Sequence, residues 1–300
     1  METQRSGTLE EEYLYGQALY PVAPFSWLVP LWFLLCGVVA SAGWTWTGNS
    51  VLHLFLGFLL AGPLLGTAWG ASTRVRSQTG LWNCLPGDRK SNTAFALPYT
   101  LTGSVSSRFA ARLSSFAVWW QETSPVMRKA YIQLIASSVF SLAVAAQLGQ
   151  QSLAITAFAL MVAYTTGLSR GQWVYNPVIS ISVPLCLAWL LGYTAFASLQ
   201  PVSAVVAASF ALVFGGCFTT NHTGQGLIGQ VVPQAVVAAS LVVCHQPVAA
   251  MAITLLGSPQ LLLAQLLRTP EHRARYFRAI QWHLAVGMLL TAAALGYRIL

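Results

Sequence analysis

The sequence predicts an all-α fold, a polytopic membrane bundle of about nine transmembrane helices. Three observations predict it. Apolar stretches recur along the whole chain, each near the roughly 20 residues that cross a hydrocarbon core. Hydrophobic residues make up 56% of the chain and charged residues only 7%, against about 25% charged in a soluble domain. The basic residues gather in alternate connections between the apolar stretches, as positive-inside topology requires. Continuous apolar runs exclude the alternating pattern of a membrane β-barrel, so helices must satisfy the backbone within lipid.

Nine spans are expected at roughly 25–43, 51–70, 130–149, 151–168, 174–197, 201–219, 230–245, 247–267 and 279–297. Several connections are very short. Gln150 alone separates two spans, as does the segment from Ser198 to Gln200, and only His245 and Gln246 divide spans seven and eight. Connections this short force antiparallel neighbours.

Charge orients the bundle. With the N-terminus in the cytoplasm, fourteen of the fifteen basic residues fall inside. They are Arg5, the run from Arg74 to Lys129, Arg170, and Arg268, Arg273, Arg275 and Arg278; Arg298 alone falls outside. The expected topology is therefore N-terminus cytoplasmic and C-terminus outside. Residues 1–24 form an N-terminal cytoplasmic segment, and 25–300 form one transmembrane domain. That domain has a long basic cytoplasmic connection at 71–129. The first apolar stretch follows an acidic segment and lacks a basic n-region and an Ala-x-Ala site, which favours a retained helix over a cleaved signal. Within the long connection, Phe109 to Trp120 reads as an amphipathic helix on the membrane surface, with Arg108 and Arg112 on one face. A tilted tenth span is the alternative.

The net charge of +8 belongs to loops beside lipid headgroups, so membrane lipids are the expected partners and nucleic acid is not. Cys36, Cys84, Cys186, Cys217 and Cys244 are scattered without the paired spacing of a disulfide or zinc framework.

Three blocks of sequence resemble one family. The first is Ser26-Trp27-Leu28-Val29-Pro30-Leu31-Trp32 with Cys36-Gly37 after it. The second is Leu60-Ala61-Gly62-Pro63-Leu64-Leu65. The third holds Pro259-Gln260, Arg268-Thr269-Pro270, Tyr276, Gln281 and the run from Gly287 to Ala292. Together they resemble the chlorophyll and bacteriochlorophyll synthases of the UbiA-type intramembrane prenyltransferases. The resemblance implies a nine-helix bundle with a central cavity. It also implies an enzyme that holds a prenyl diphosphate through Mg²⁺ between two aspartate motifs.

The chain departs from that chemistry. Asp88 is its only aspartate, and no acid lies between Glu122 and Glu271. Where the family carries Asn-Asp-x-x-Asp, this chain offers Ser72-Thr73-Arg74-Val75-Arg76, and its second motif region reads Thr219 to Gly226 without a carboxylate. Mg²⁺ beside a diphosphate needs carboxylate oxygens, so no Mg²⁺–diphosphate site is expected. Asp88 sits in Pro-Gly-Asp-Arg, a turn signature in which Asp bonds its own backbone.

The candidate contacts are of two kinds. Arg74 and Arg76, with Arg170 at the next cytoplasmic connection, bring guanidinium groups that hold phosphate or carboxylate without metal. Topology alone also accounts for them. His222 and His283 are the histidines expected to offer an axial nitrogen to a pigment magnesium. A non-ligand role is the competing reading for each. His222 lies five residues from Cys217, a spacing that misses a shared helix face and disfavours a Cys–His dyad. Trp27, Trp32, Trp44, Trp46, Trp173 and Trp282 read as interfacial belts or as walls of a pigment pocket.

The expected function is a non-catalytic binding, structural or assembly subunit of a photosynthetic pigment–protein complex. Its partners would be reaction-centre or antenna subunits. Its cavity would hold a bacteriochlorophyll, carotenoid, quinone or lipid. One alternative is an active synthase esterifying a tetrapyrrole or quinone precursor with a prenyl diphosphate. A second is a small transporter or flippase, for which the sequence offers no coupling carboxylate.

Overall fold

The computed structural model describes residues 28–42, 47–78, 120–121, 125–168, 177–223, 228–263 and 270–299. The N-terminal segment 1–24, Asp88, Arg170 and residues 109–119 of the expected surface helix lie outside the described residues. The helices are α1 (Leu28–Ala40), α2 (Gly48–Leu59), α3 (Leu65–Gln78), α4 (Pro125–Leu148), α5 (Gln150–Leu168), α6 (Pro177–Thr194), α7 (Pro201–Thr223), α8 (Ile228–Val243), α9 (Pro247–Leu262) and α10 (Pro270–Ile299). A π-helical stretch, Leu60–Leu64, fuses α2 to α3. The described residues therefore hold nine continuous helical rods, one at each expected span. Gly48–Ser72, Arg128–Leu148 and Ala279–Tyr297 are long and apolar enough to cross a membrane by themselves; five others are shorter apolar helices.

Several boundaries differ from expectation; α4 and α10, for example, begin early, at Pro125 and Pro270 against 130 and 279. The reversal between α4 and α5 falls on Gly149 rather than Gln150. Its φ of 111° is a conformation that only glycine enters cheaply. The fifth rod, α6, stops at Thr194, short of the expected residue 197, in a turn before Pro201. The second rod runs on to Gln78, past the expected end at residue 70, and a π stretch carries it through Pro63 without ending the helix. Proline lacks an N–H and clashes with the carbonyl four residues back, and a wider turn relieves that clash. The Thr67 hydroxyl donates to the carbonyls of Pro63 and Leu64, at 2.5 and 2.9 Å, and steadies the exit.

α1 packs on α6 and α10. The series α6, α7, α8, α9 and α10 follows, each against the next, with α7 also touching α10. α2 to α5 form a second group, joined to the first where α5 meets α6 and where α2 and the π stretch meet α1 and α6. The tightest crossing is α1 on α6. A methyl added at Gly37 would overlap the Trp189 carbonyl, and one added at Gly192 would overlap the Leu34 carbonyl. Such backbone proximity is how membrane helices gain packing without a hydrophobic drive. Around it lie Phe33, Trp189 and Phe210, all buried. Trp189 stacks on Phe210 with ring centroids 6.2 Å apart, and its indole N–H donates to Ser203 Oγ at 3.3 Å.

The end of the bundle where α7 and α9 finish and α8 and α10 start is called the basic end, after the arginines of the neighbouring connections.

Candidate functional site

Glutamines are rare choices for the inside of apolar helices, since an amide buried without a partner costs free energy. α8 and α9 carry no Lys, Arg, Asp or Glu from 228 to 263, yet they place Gln230, Gln234 and Gln260 near the basic end. Gln230 and Tyr276 are both fully buried. The Tyr276 hydroxyl donates to Gln230 Oε1 over 2.7 Å, tying α10 to α8. Val213 and Cys217 from α7 and Ile280 and Leu284 from α10 close around the phenol. Burial raises the Tyr276 phenol above its ordinary pKa, and the nearby Cys217 sulfur adds to that shift.

Gln260 is 1% exposed. Neither its Nε2 nor its Oε1 has a hydrogen-bond partner. Its depth follows from two contacts. The Gln234 side-chain oxygen lies over Gly257, and Ile253 Cδ1 lies over Gly287. α9 runs antiparallel to both α8 and α10, so a turn or two toward the basic end brings Gln260 level with Gln230 and Ile280. The Gln230–Tyr276 pair and the unpartnered amide thus share one layer.

Close backbone packing holds that layer. A methyl at Gly216 would press on the Gly229 carbonyl, and one at Gly215 on Ser182 Oγ. Ser182 Oγ donates to the Ala211 carbonyl at 2.7 Å, pinning α6 to α7. On the other side of the bundle, Ser138 Oγ and Tyr164 Oη lie 3.1 Å apart between α4 and α5. Ser72, buried on α3, donates to its own Trp69 carbonyl at 2.7 Å. An apolar groove of about 380 Å³ runs between α5 and α6, lined by residues such as Ile155, Phe158, Val183 and Leu187.

The expected contact residues fall as follows. Arg74 and Arg76 lie on α3, one helical turn beyond Ser72, and His222 lies in the last turn of α7; their side chains, and Arg170 as a whole, lie outside the described residues. His283 sits partly exposed on α10 with Nδ1 2.9 Å from the Ala279 carbonyl. A ring nitrogen facing a carbonyl carries the proton, which leaves Nε2 of the neutral ring as a free lone pair. α7 and α10 meet at Cys217 and Tyr276. His222 lies beyond that contact toward the basic end and His283 lies away from it, so the two are about 18 Å apart along the axis. They do not form one ligand pair. Among the described residues, no three His, Cys, Asp or Glu side chains converge.

Sequence reasoning used Gln260 and Tyr276 only as marks of resemblance and passed over Gln230. The available signal was an amide inside a run without charge, which is a functional pointer by default in a membrane.

Apolar helices of this length and number define an integral helical membrane protein. Among proteins of known name, the chain is similar to the "Bacteriochlorophyll synthase 34 kDa chain" of Chloroflexus aurantiacus. The two are 29% identical over 306 aligned residues, covering 91% of this chain and 87% of that one. The likeness is spread over most of both chains. No family model matches the chain, and no solved structure matches it.

Proposed function

We propose that this protein is a chlorophyll-synthase-like membrane subunit that keeps the synthase frame, lacks Mg²⁺–diphosphate chemistry, and binds a hydrophobic ligand within a photosynthetic pigment–protein complex. One observation carries the reading. In a chain similar to a synthase over nine-tenths of its length, no acid occurs between Glu122 and Glu271. Mg²⁺ takes oxygen ligands with carboxylates among them. The layer beside the second motif region offers a phenol, two amides and a thiol, and Gln230's oxygen already accepts a hydrogen bond from the phenol. That donor set does not suit Mg²⁺.

Nine membrane crossings, with the N-terminus cytoplasmic and the C-terminus outside, complete the proposal. The nine rods and the alternation of basic connections support it. Candidate ligands are bacteriochlorophyll, carotenoid, quinone or lipid. The free Nε2 of His283 suits a pigment magnesium. Arg74, Arg76 and Arg170 suit a carboxylate or a lipid phosphate.

The second reading is an active synthase with its binding residues recruited elsewhere. The length-wide similarity to a protein named as a synthase favours it. Gentle solubilisation, size separation and pigment extraction distinguish the two. Co-migration with a pigmented complex supports the subunit. A lone, colourless chain overturns it and returns weight to a free-standing enzyme.

A further inference from the structure

We propose that the furrow between α5 and α6 is a site for one membrane lipid with an uncharged, hydroxyl-rich head, seated in the leaflet opposite the basic end. The site is independent of what the bundle interior holds. Two hollows on the same helix pair carry it. The first is a mouth of about 360 Å³ where α5 starts and α6 finishes, lined by residues that include Gly149, Gln150, Gln151, Thr194 and Ser198. The second is the apolar groove of about 380 Å³. Gln151 of the mouth and Ala154 of the groove are about one turn apart on α5, as are Thr194 and Leu190 on α6. A polar mouth thus opens onto an apolar groove, the shape an amphiphile fits.

The buried Ser152 and Thr194 hydroxyls, 3.2 Å apart, hold α5 to α6 beside the mouth. Beyond them Ala154, Val183 and Cys186 are too short to fill the space between the helices, and the exposed Phe158 forms one bank. Wall atoms facing an empty furrow forfeit their dispersion contacts, so an apolar chain is drawn in. Its length argues for one acyl chain. The furrow reaches from Thr194 to Val183, about 16 Å of helix, against about 15 Å for one leaflet's half of the hydrocarbon core. A docked partner helix would need a groove along the whole rod.

The residues lining the mouth set the head. No Lys, Arg, His, Asp or Glu lines the mouth or the groove, whereas phosphate is held best by cationic side chains. Gln151 Oε1 accepts from the Leu199 N–H at 3.0 Å, a bond in which its Nε2 donors take no part. Those donors, the Gln150 amide and the Ser198 hydroxyl suit sugar hydroxyls, which both donate and accept.

The test uses the full chain in phosphatidylglycerol nanodiscs, with and without monogalactosyl diacylglycerol. Native mass spectrometry reads the lipid retained, and peptide mass spectrometry reads alkylation of Cys186 by a membrane-soluble maleimide. Wild type should retain one galactolipid, and its presence should slow Cys186 alkylation about tenfold. Ala154→Phe should lose the retained lipid while unfolding at the wild-type temperature. Gln150→Ala should narrow the preference for galactolipid over phosphatidylglycerol. The alkylation rate needs no substitution and decides the matter if Ala154→Phe fails to fold. Unchanged Cys186 alkylation, or full retention by Ala154→Phe, overturns the site. Retention of phosphatidylglycerol in preference to galactolipid by wild type overturns the uncharged head.

Discussion

Tyr276 on α10 and Gln230 on α8 hold each other through a 2.7 Å hydrogen bond in a site sealed from solvent. Removing the phenol oxygen takes one hydrogen bond from the Gln230 oxygen in a buried site. Tyr276→Phe should therefore destabilise the protein by about 1–3 kcal/mol, measured by unfolding in detergent. Gln230→Leu should cost less in the Tyr276→Phe background than in wild type, because the bond they share is already gone. Strict additivity of the two substitutions would show that the pair is not coupled.

The same phenol makes stability depend on alkaline pH. Its folded pKa is raised by burial from an ordinary value of 10.0. The folded state therefore keeps the proton where the unfolded chain releases it. The contribution is fully present below pH 10 and is lost as pH rises through the folded value. Wild type should lose stability above pH 10 more steeply than Tyr276→Phe. Parallel pH profiles would count against a buried, neutral phenol.

Backbone contact between α1 and α6 predicts a sharp asymmetry among glycines. Gly37→Ala and Gly192→Ala each drive a methyl into a carbonyl of the facing helix. Each should cost about 1–3 kcal/mol or more. Gly66 has nothing near its missing Cβ, so Gly66→Ala should be neutral or mildly stabilising. Thermal unfolding of the three variants decides it.

If the carboxylates are truly absent from the reaction site, transfer of a prenyl group from geranylgeranyl or phytyl diphosphate to chlorophyllide should be undetectable with or without Mg²⁺. Turnover that rises with Mg²⁺ and disappears in Asp88→Asn would mean the lone aspartate serves as a metal ligand.

Topology has its own measurement. Cysteines placed at Ser77 and at Asn49, near opposite ends of the fused α2–α3 rod, should label from opposite sides of the membrane, Ser77 from the cytoplasm. Labelling of both from one side would remove a crossing.

The rods were legible in the sequence because hydrophobic length and the placement of arginines are written locally. His245 and Gln246 were enough to divide two helices, and His245 does take a left-handed conformation, with φ 59°. The π stretch was not legible. A proline inside an apolar run ends, kinks or widens a helix, and tertiary packing decides which. The Gln230–Tyr276 bond was also out of reach, since it joins residues 46 apart in sequence and glutamine in a helix has no periodic signature. The basic connections carry a topology signal, and nothing in their spacing says which arginines meet.

Gly149 has a consequence concerning handedness. α4 and α5 reverse direction on this one residue, and its φ of 111° lies where L-amino acids rarely go. No neighbouring atom would obstruct a side chain there. The restriction is chiral rather than spatial. The return of α5 beside α4 depends on the one amino acid with no mirror image, and a D-alanine introduced by chemical ligation should serve there where L-alanine would strain the reversal.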